Sequence, residues 1–128
     1  KYSVAQGLMG RHMGIIGLGA IGLAVAERAR AFGIHVYVVE KPDRSAQTRE
    51  TLAYLGLQTV PDLDAMLGTC DIISLHVPSA AGTKGMVDAE FLAKLRPGAI
   101  LINASRGDVI DEVALLAAMN DKGIRAGF

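Results

Sequence analysis

Residues 14–22 read Gly-Ile-Ile-Gly-Leu-Gly-Ala-Ile-Gly (GIIGLGAIG), with glycine at positions 14, 17, 19 and 22. The apolar run from Met13 to Gly17 predicts a short buried strand, and Ala20 to Phe32 carries Ile21, Val25, Ala29 and Phe32 at helical spacing. A strand, a tight glycine turn and a helix follow one another without a gap. In that arrangement Gly17 can take dihedrals closed to other residues, Gly19 leaves room for a pyrophosphate to approach the backbone, and Gly22 lets the helix sit close on the strand. The helix N-terminus then turns its free amides and partial positive charge toward the phosphates.

G-x-G-x-x-G alone is common, and its context gives it meaning. Ile34 to Val39 (IHVYVV) is rich in β-branched residues and predicts a second strand. Glu40 stands at its end, with 17 residues between it and Gly22. A carboxylate there can accept hydrogen bonds from both ribose hydroxyls of an adenosine and would repel a 2′-phosphate, which favours NAD over NADP. The competing reading of Glu40 is a solvated charge at a strand end. Lys41 and Arg44 lie close by and could help to bind a phosphate, which moderates the NAD preference.

The alternation continues along the chain. Asp43 or Ser45 can cap a helix running to Tyr54, and Gly56 ends it. Leu57 to Val60 predicts a third strand, Asp62 to Leu67 a short helix, and Asp71 to Val77 (DIISLHV) a fourth strand closed by Pro78. A helix from Asp88 to Leu95, a strand from Ala99 to Ala104, a helix from Asp111 to Asn120 and a last strand from Ile124 to Phe128 complete the pattern. Strands that are apolar on both faces and alternate with helices indicate a doubly wound α/β domain, with a mostly parallel sheet covered on both sides. No internal repeat, linker or low-complexity segment interrupts it.

The 128 residues suit one domain, and 51% hydrophobic against 20% charged residues can bury a core. Lys plus Arg balance Asp plus Glu at 13 each, so the charge footprint of a nucleic-acid binder is missing. No apolar run approaches a membrane span, and no basic-then-apolar leader opens the chain. The single Cys70 supplies neither a disulfide nor a metal-ligand spacing, which fits a reduced cytoplasmic setting with no metal. A first residue of Lys1 rather than methionine is read as a piece of something longer. The scattered methionines read as core filling, and His12 and His35, lacking partners nearby in sequence, as surface or strand-edge residues.

Two further strand ends carry polar groups where ligands bind in open α/β sheets. His76-Val77-Pro78 closes the fourth strand, and Asn103-Ala104-Ser105-Arg106-Gly107 follows the fifth. His76 reads as either a structural histidine or a site residue. Arg106, between a buried strand and a glycine, can offer a planar fork to a carboxylate. Its alternative is a pair with Asp108 or a helix cap.

Taken together, these residues resemble the cofactor-binding domain of the NAD-dependent D-2-hydroxyacid dehydrogenases, the family that includes phosphoglycerate dehydrogenase. GIIGLGAIG, the strand-end acid, DIISLHVPSAAGTKGMVD and LRPGAILINASRGDVIDEVAL carry the resemblance, the last two by an order and spacing that generic nucleotide-binding sheets lack. It implies that Gly17, Gly19 and Gly22 form the phosphate turn, with Ala20 and Ile21 as backbone donors. It makes Glu40 the adenosine-ribose acid, usually Asp. Val77 and Pro78 would line the adenine and ribose side, and Ala104 and Ser105 would make backbone contacts near the nicotinamide. Arg106 would anchor a small 2-hydroxy or 2-oxo acid during hydride transfer at nicotinamide C4.

Ala20 departs from the family, where many members have an arginine. The family's aspartate, glutamate and histidine of the acid and base would fall beyond Phe128, and its substrate domain outside this chain. The piece alone is therefore expected to be inactive, its cut edge prone to self-association. A homodimer through the cofactor domain is implied. A second reading within the family is an NADH-responsive corepressor, in which the output is a protein interface. A short-chain reductase would need Tyr-x-x-x-Lys on a helix, and the one pair at that spacing, Tyr37 with Lys41, falls in a predicted strand, about 13 Å apart.

Overall fold

The computed structural model describes residues 7–78 and 82–128. Six strands, β1 (His12–Ile16), β2 (His35–Val39), β3 (Gln58–Val60), β4 (Ile72–Leu75), β5 (Ile100–Asn103) and β6 (Arg125–Gly127), form one sheet. Its order is β3-β2-β1-β4-β5-β6 and every pairing is parallel. The helices between them are α1 (Ala20–Ala31), α2 (Ala46–Leu55), α3 (Leu63–Thr69), α4 (Ala89–Lys94) and α5 (Glu112–Lys122). The doubly wound α/β architecture expected from the strand and helix alternation is the one observed.

Side chains alternate between the two faces of each strand, and the core divides accordingly. Met13, Ile15, Val36 and Val38 pack with Ala26 and Ala29 of α1 and Leu52 of α2. On the other face Ile73, Leu75 and Leu101 pack with Met66 and Leu67 of α3, Phe91 and Leu92 of α4, and Leu115 of α5. The connection from β3 through α3 to β4 therefore changes face. It also carries the chain from one edge of the sheet to the far side of β1, so the strand order reverses between β1 and β4.

Local chemistry sets the helix ends. Asp62, Asp88 and Asp111 accept from the amides of Ala65, Phe91 and Ala114 at the starts of α3, α4 and α5. At α2 the cap is Ser45, whose hydroxyl accepts from the Thr48 amide, and not Asp43. Gly56 and Gly123 close α2 and α5 in the left-handed conformation.

Several expectations need correction. The buried residues of α1 are Gly22, Ala26 and Ala29, whereas Ile21 and Phe32, placed on the apolar face by sequence, are 68% and 63% exposed. Small residues line the contact because the helix lies too close to the sheet for large ones. Met13 and Met66 are buried, yet Met9 and Met119 are exposed and fill no core. β4 ends at Leu75, and Gly107–Val109 forms a 3₁₀ turn with no counterpart in the sequence reading.

His12 and His35 are also not isolated. They are register partners on β1 and β2, their rings stack with centroids 5.0 Å apart, and His12 Nδ1 lies 2.9 Å from the Tyr37 hydroxyl. This cluster sits at the end of the strands opposite the glycine turn. Cys70 is fully buried, and burial, with Asp71 beside it, pushes its thiol up to about 12, so it stays protonated and inert. Among the described residues no helix is long and apolar enough to cross a membrane.

Candidate cofactor site

Gly17 leaves β1 with φ +94°, a region that L side chains avoid. A Cβ there would lie 2.4 Å from the His76 carbonyl oxygen and 2.9 Å from the Val77 nitrogen. The turn after β1 thus rests directly on the turn after β4. Gly22 is equally constrained, since its Cβ would stand 2.4 Å from the Gly17 carbonyl oxygen. At Gly19 a Cβ would meet nothing, so the space in front of it is open to a ligand. Gly19 is the N-cap of α1 and offers no side-chain acceptor, and the amides of Ala20 and Ile21 in the first turn have no partner within the helix.

A cleft of about 650 Å³ opens over this turn, of the size that small cofactors and substrates occupy. Gly17, Gly19, Ala20, Ile21 and Gly22 form one wall, and His76, Val77, Pro78 and Ala104 the other. The structure therefore brings together most of the residues expected to bind cofactor. A second cleft, of about 460 Å³, runs on toward α2 over Val38, Val39, Asp43, Arg44 and Thr48. The two share Gly17, Leu18 and Lys41. Leu18 was not anticipated, because its place on the cleft depends on how the turn folds and not on any motif.

Glu40 follows β2, tied to β3 by its amide on the Val60 carbonyl at 2.8 Å. Its carboxylate is half-exposed and pairs with Arg49 of α2 at 3.2 Å. Arg49 also donates to the carbonyls of Lys41 and Pro42 at 2.9 and 3.1 Å, so it braces the loop as well as the acid. Glu40 is therefore not a simply solvated charge but a carboxylate held by an arginine of α2.

At the other end, a short network fixes the turn after β5. The Val77 amide donates to Ser105 Oγ at 2.8 Å, the Ser105 amide to Asn103 Oδ1 at 2.8 Å, and Asn103 Nδ2 to the Arg106 carbonyl at 3.3 Å. The Ala104 amide is taken by the Leu75 carbonyl at 3.0 Å. The amides of Ala104 and Ser105 are thus already committed, leaving their carbonyls as the backbone groups for a ligand. Arg106 is exposed at the same strand end, outside the lining of the cleft, and among the described residues its guanidinium makes no ion pair with Asp108.

His76 shares a 2.7 Å hydrogen bond with buried Ser74 through Nε2, and its Nδ1 is buried without a partner. Burial lowers its pKa and favours the neutral ring. Tyr37 lies within β2, bonded to His12, and is not paired with Lys41 on a helix, which removes the short-chain reductase arrangement. Residues 79–81, within one of the stretches that carry the resemblance, lie outside the described residues, as do Tyr2 and Gln6.

An all-parallel sheet whose order reverses between β1 and β4, with a glycine turn and an open cleft at that reversal, defines a dinucleotide-binding domain of the Rossmann class. The family described as D-isomer specific 2-hydroxyacid dehydrogenase, NAD binding domain, matches residues 1–128, and the chain belongs to it. D-3-phosphoglycerate dehydrogenase of Mycobacterium leprae is 41% identical over 122 residues, which cover 93% of this chain and 22% of the relative. Glyoxylate/hydroxypyruvate reductase B of Enterobacter agglomerans is 43% identical over 118 residues, 91% of this chain and 35% of the relative. The solved structure of D-lactate dehydrogenase with NAD+ from Lactobacillus jensenii superimposes with a TM-score of 0.83 at 34% identity, covering 97% of this chain and 36% of that one. The chain thus spans between a fifth and two fifths of the length of the proteins it matches here. As a domain of this family it takes NAD as its cofactor.

Proposed function

We infer that the protein carrying this domain is an NAD-dependent D-2-hydroxyacid dehydrogenase, which moves a hydride between the cofactor and a D-2-hydroxy acid or its 2-oxo acid. 3-Phosphoglycerate is one substrate of this class, in keeping with the likeness to D-3-phosphoglycerate dehydrogenases. The observation that supports this most is the cleft itself, where the glycine turn faces His76 to Pro78 and Ala104 across the strand reversal. The named relatives are a dehydrogenase and a reductase, which favours an enzyme over a corepressor.

In this reading the open space at Gly19 and the free amides of Ala20 and Ile21 take the pyrophosphate, while Gly17 and Gly22 keep turn and helix close. Glu40, steadied by Arg49, accepts from the adenosine ribose. Val77 and Pro78 line the adenine and ribose side, and the carbonyls of Ala104 and Ser105 face the nicotinamide. Bound cofactor supplies the hydride donor or acceptor. Arg106 gives its fork to the substrate carboxylate, and its freedom from Asp108 leaves it available for that role. His76 is turned onto Ser74 and favoured in its neutral form, so the proton donor is expected outside this cleft.

The test is calorimetric titration of the protein with NADH, followed by assay against a panel of 2-oxo acids. NADH binding that Gly19→Val abolishes, with turnover that Arg106→Gln lowers by about 100-fold, is expected. Loss of neither overturns the assignment. A cytoplasmic homodimer goes with this reading. A monomer at all concentrations in sedimentation velocity would remove the dimer, and a fluorescent fusion found outside the cytoplasm the location.

A further inference from the structure

Arg106 projects, exposed, from the turn after β5, and a long side chain presents its fork accurately only if the backbone beneath it is fixed. On the far side of Arg106 the fixing is done by the main chain. The Arg106 carbonyl accepts from the Val109 amide at 3.2 Å, and the amides of Gly85 and Val87, between β4 and α4, donate to the carbonyls of Asp108 and Val109 at 2.8 and 3.0 Å. On the near side it passes to side chains. Buried Asn103 takes the Ser105 amide and gives to the Arg106 carbonyl, but both of those bonds stay within the turn.

Ser105 supplies a bond that leaves it. Its Oγ accepts from the Val77 amide at 2.8 Å, across 28 residues of sequence, and Val77 lines the cofactor cleft. The Ala104 amide already ties the turn to Leu75 at the end of β4, and the Ser105 hydroxyl carries the tie one residue closer to Arg106. Without that hydroxyl the Val77 amide loses its acceptor, and the residue beside Arg106 loses its anchor.

We propose that Ser105 is a positioning residue, which through its bond to the Val77 amide sets the backbone from which Arg106 reaches the carboxylate of the 2-oxo acid. The inference rests on the dehydrogenase reading above and extends it. Ser105 thereby joins the wall of the cofactor cleft to the substrate-anchoring arginine, and its loss is felt by the substrate more than by the cofactor.

The experiment uses the full-length protein with saturating NADH and the 2-oxo acid that turns over fastest in the panel above. It compares Ser105→Ala and Ser105→Thr, and Ser105→Ala again in an Arg106→Gln background, with circular dichroism confirming that each is folded. In Ser105→Ala kcat/KM for the 2-oxo acid should fall about tenfold, while the NADH dissociation constant rises less than about threefold. Ser105→Thr, which keeps the hydroxyl, should recover most of the loss. In the Arg106→Gln background Ser105→Ala should lower kcat/KM by less than about twofold, because the group it positions is already gone. An equal loss in both backgrounds overturns the positioning role, since Ser105 would then act without Arg106. So does an unchanged kcat/KM, an NADH affinity that falls as far as kcat/KM, or a loss that Ser105→Thr leaves in place, and each of these leaves the dehydrogenase reading standing. Turnover of none of the 2-oxo acids by the unchanged protein overturns that reading and the positioning role with it.

Discussion

Gly17 and Gly14 are constrained for different reasons. At Gly17 both the dihedral and the neighbouring peptide forbid a side chain, because φ is +94° and the obstacle is the backbone of residue 76. Gly17→Ala should therefore cost at least about 2 kcal/mol in urea unfolding, with no single substitution able to relieve it. At Gly14 the obstacle is a buried side chain, since a Cβ would lie 2.6 Å from Met66 Cγ and Sδ. Gly14→Ala should cost about 1–3 kcal/mol, and a double-mutant cycle with Met66→Ala should give a total below the sum of the single effects. Additivity would show that the two positions do not meet. His76 gives a pH dependence of definite sign. Burial lowers its pKa in the fold below the ordinary 6.5, so unfolding takes up a proton between those two values. Its contribution is complete above 6.5 and is lost as pH falls toward the lowered value. Melting temperature should drop less steeply with acid in His76→Gln than in the unchanged protein, and equal slopes would refute this. The glycines of the turn were legible because phosphate geometry is written in their spacing. The Gly14 contact was not, because its partner is more than 50 residues away.

Secondary structure elements show which signals are local. The starts of α3, α4 and α5 were legible to within a residue: Asp62, Asp88 and Asp111 were read as the first residues of helices, and each stands at an N-cap, on an amide three residues on. Asp88→Ala should cost about 1 kcal/mol in chemical denaturation, whereas Asp43→Ala, whose residue caps no helix, should cost less than half of that. Equal losses would reassign the start of α2. The buried face of α1 was misread for a physical reason: hydrophobicity singles out large side chains, but close approach to the sheet selects Gly22, Ala26 and Ala29. The ends of β4 and β5 were extended too far because the pleat gives way there to side-chain bonding among Asn103, Ser105 and Val77. Asn103 is buried and serves two backbone groups, the Ser105 amide and the Arg106 carbonyl. Asn103→Ala should therefore destabilise by about 2–3 kcal/mol and weaken NADH binding through the displaced Ala104 and Ser105. A stability loss without any change in NADH affinity would separate the network from the site.

The sheet of the whole molecule has two halves, β1 to β3 and β4 to β6, joined along one seam. The cores on its two faces both cross that seam: Ile72 of β4 belongs to the core that α1 and α2 cover, and Ile16 and Val39 pack against the core that holds α3 to α5. The halves meet where β1 pairs with β4, and the His76 amide donates to the Ile16 carbonyl at 2.7 Å just below the cleft. A dinucleotide lying across that seam touches residues of both halves, so its binding energy opposes opening of either one. At about 100 times its dissociation constant, NADH should add about 2.7 kcal/mol to stability and raise the melting temperature by roughly 10 °C. The more telling measurement is hydrogen exchange with and without NADH. Protection should rise together at the Glu40 amide, bonded to Val60 in the first half, and at the Ala104 amide, bonded to Leu75 in the second. Protection confined to β1, β2 and β3 would mean that the cofactor rests on one half and that the seam does not carry the coupling. Sequence could supply the alternation that builds each half and the turn that marks the seam. It could not supply the bridging, because the cleft exists only once β4, which begins about 50 residues after the glycine turn, lies beside β1.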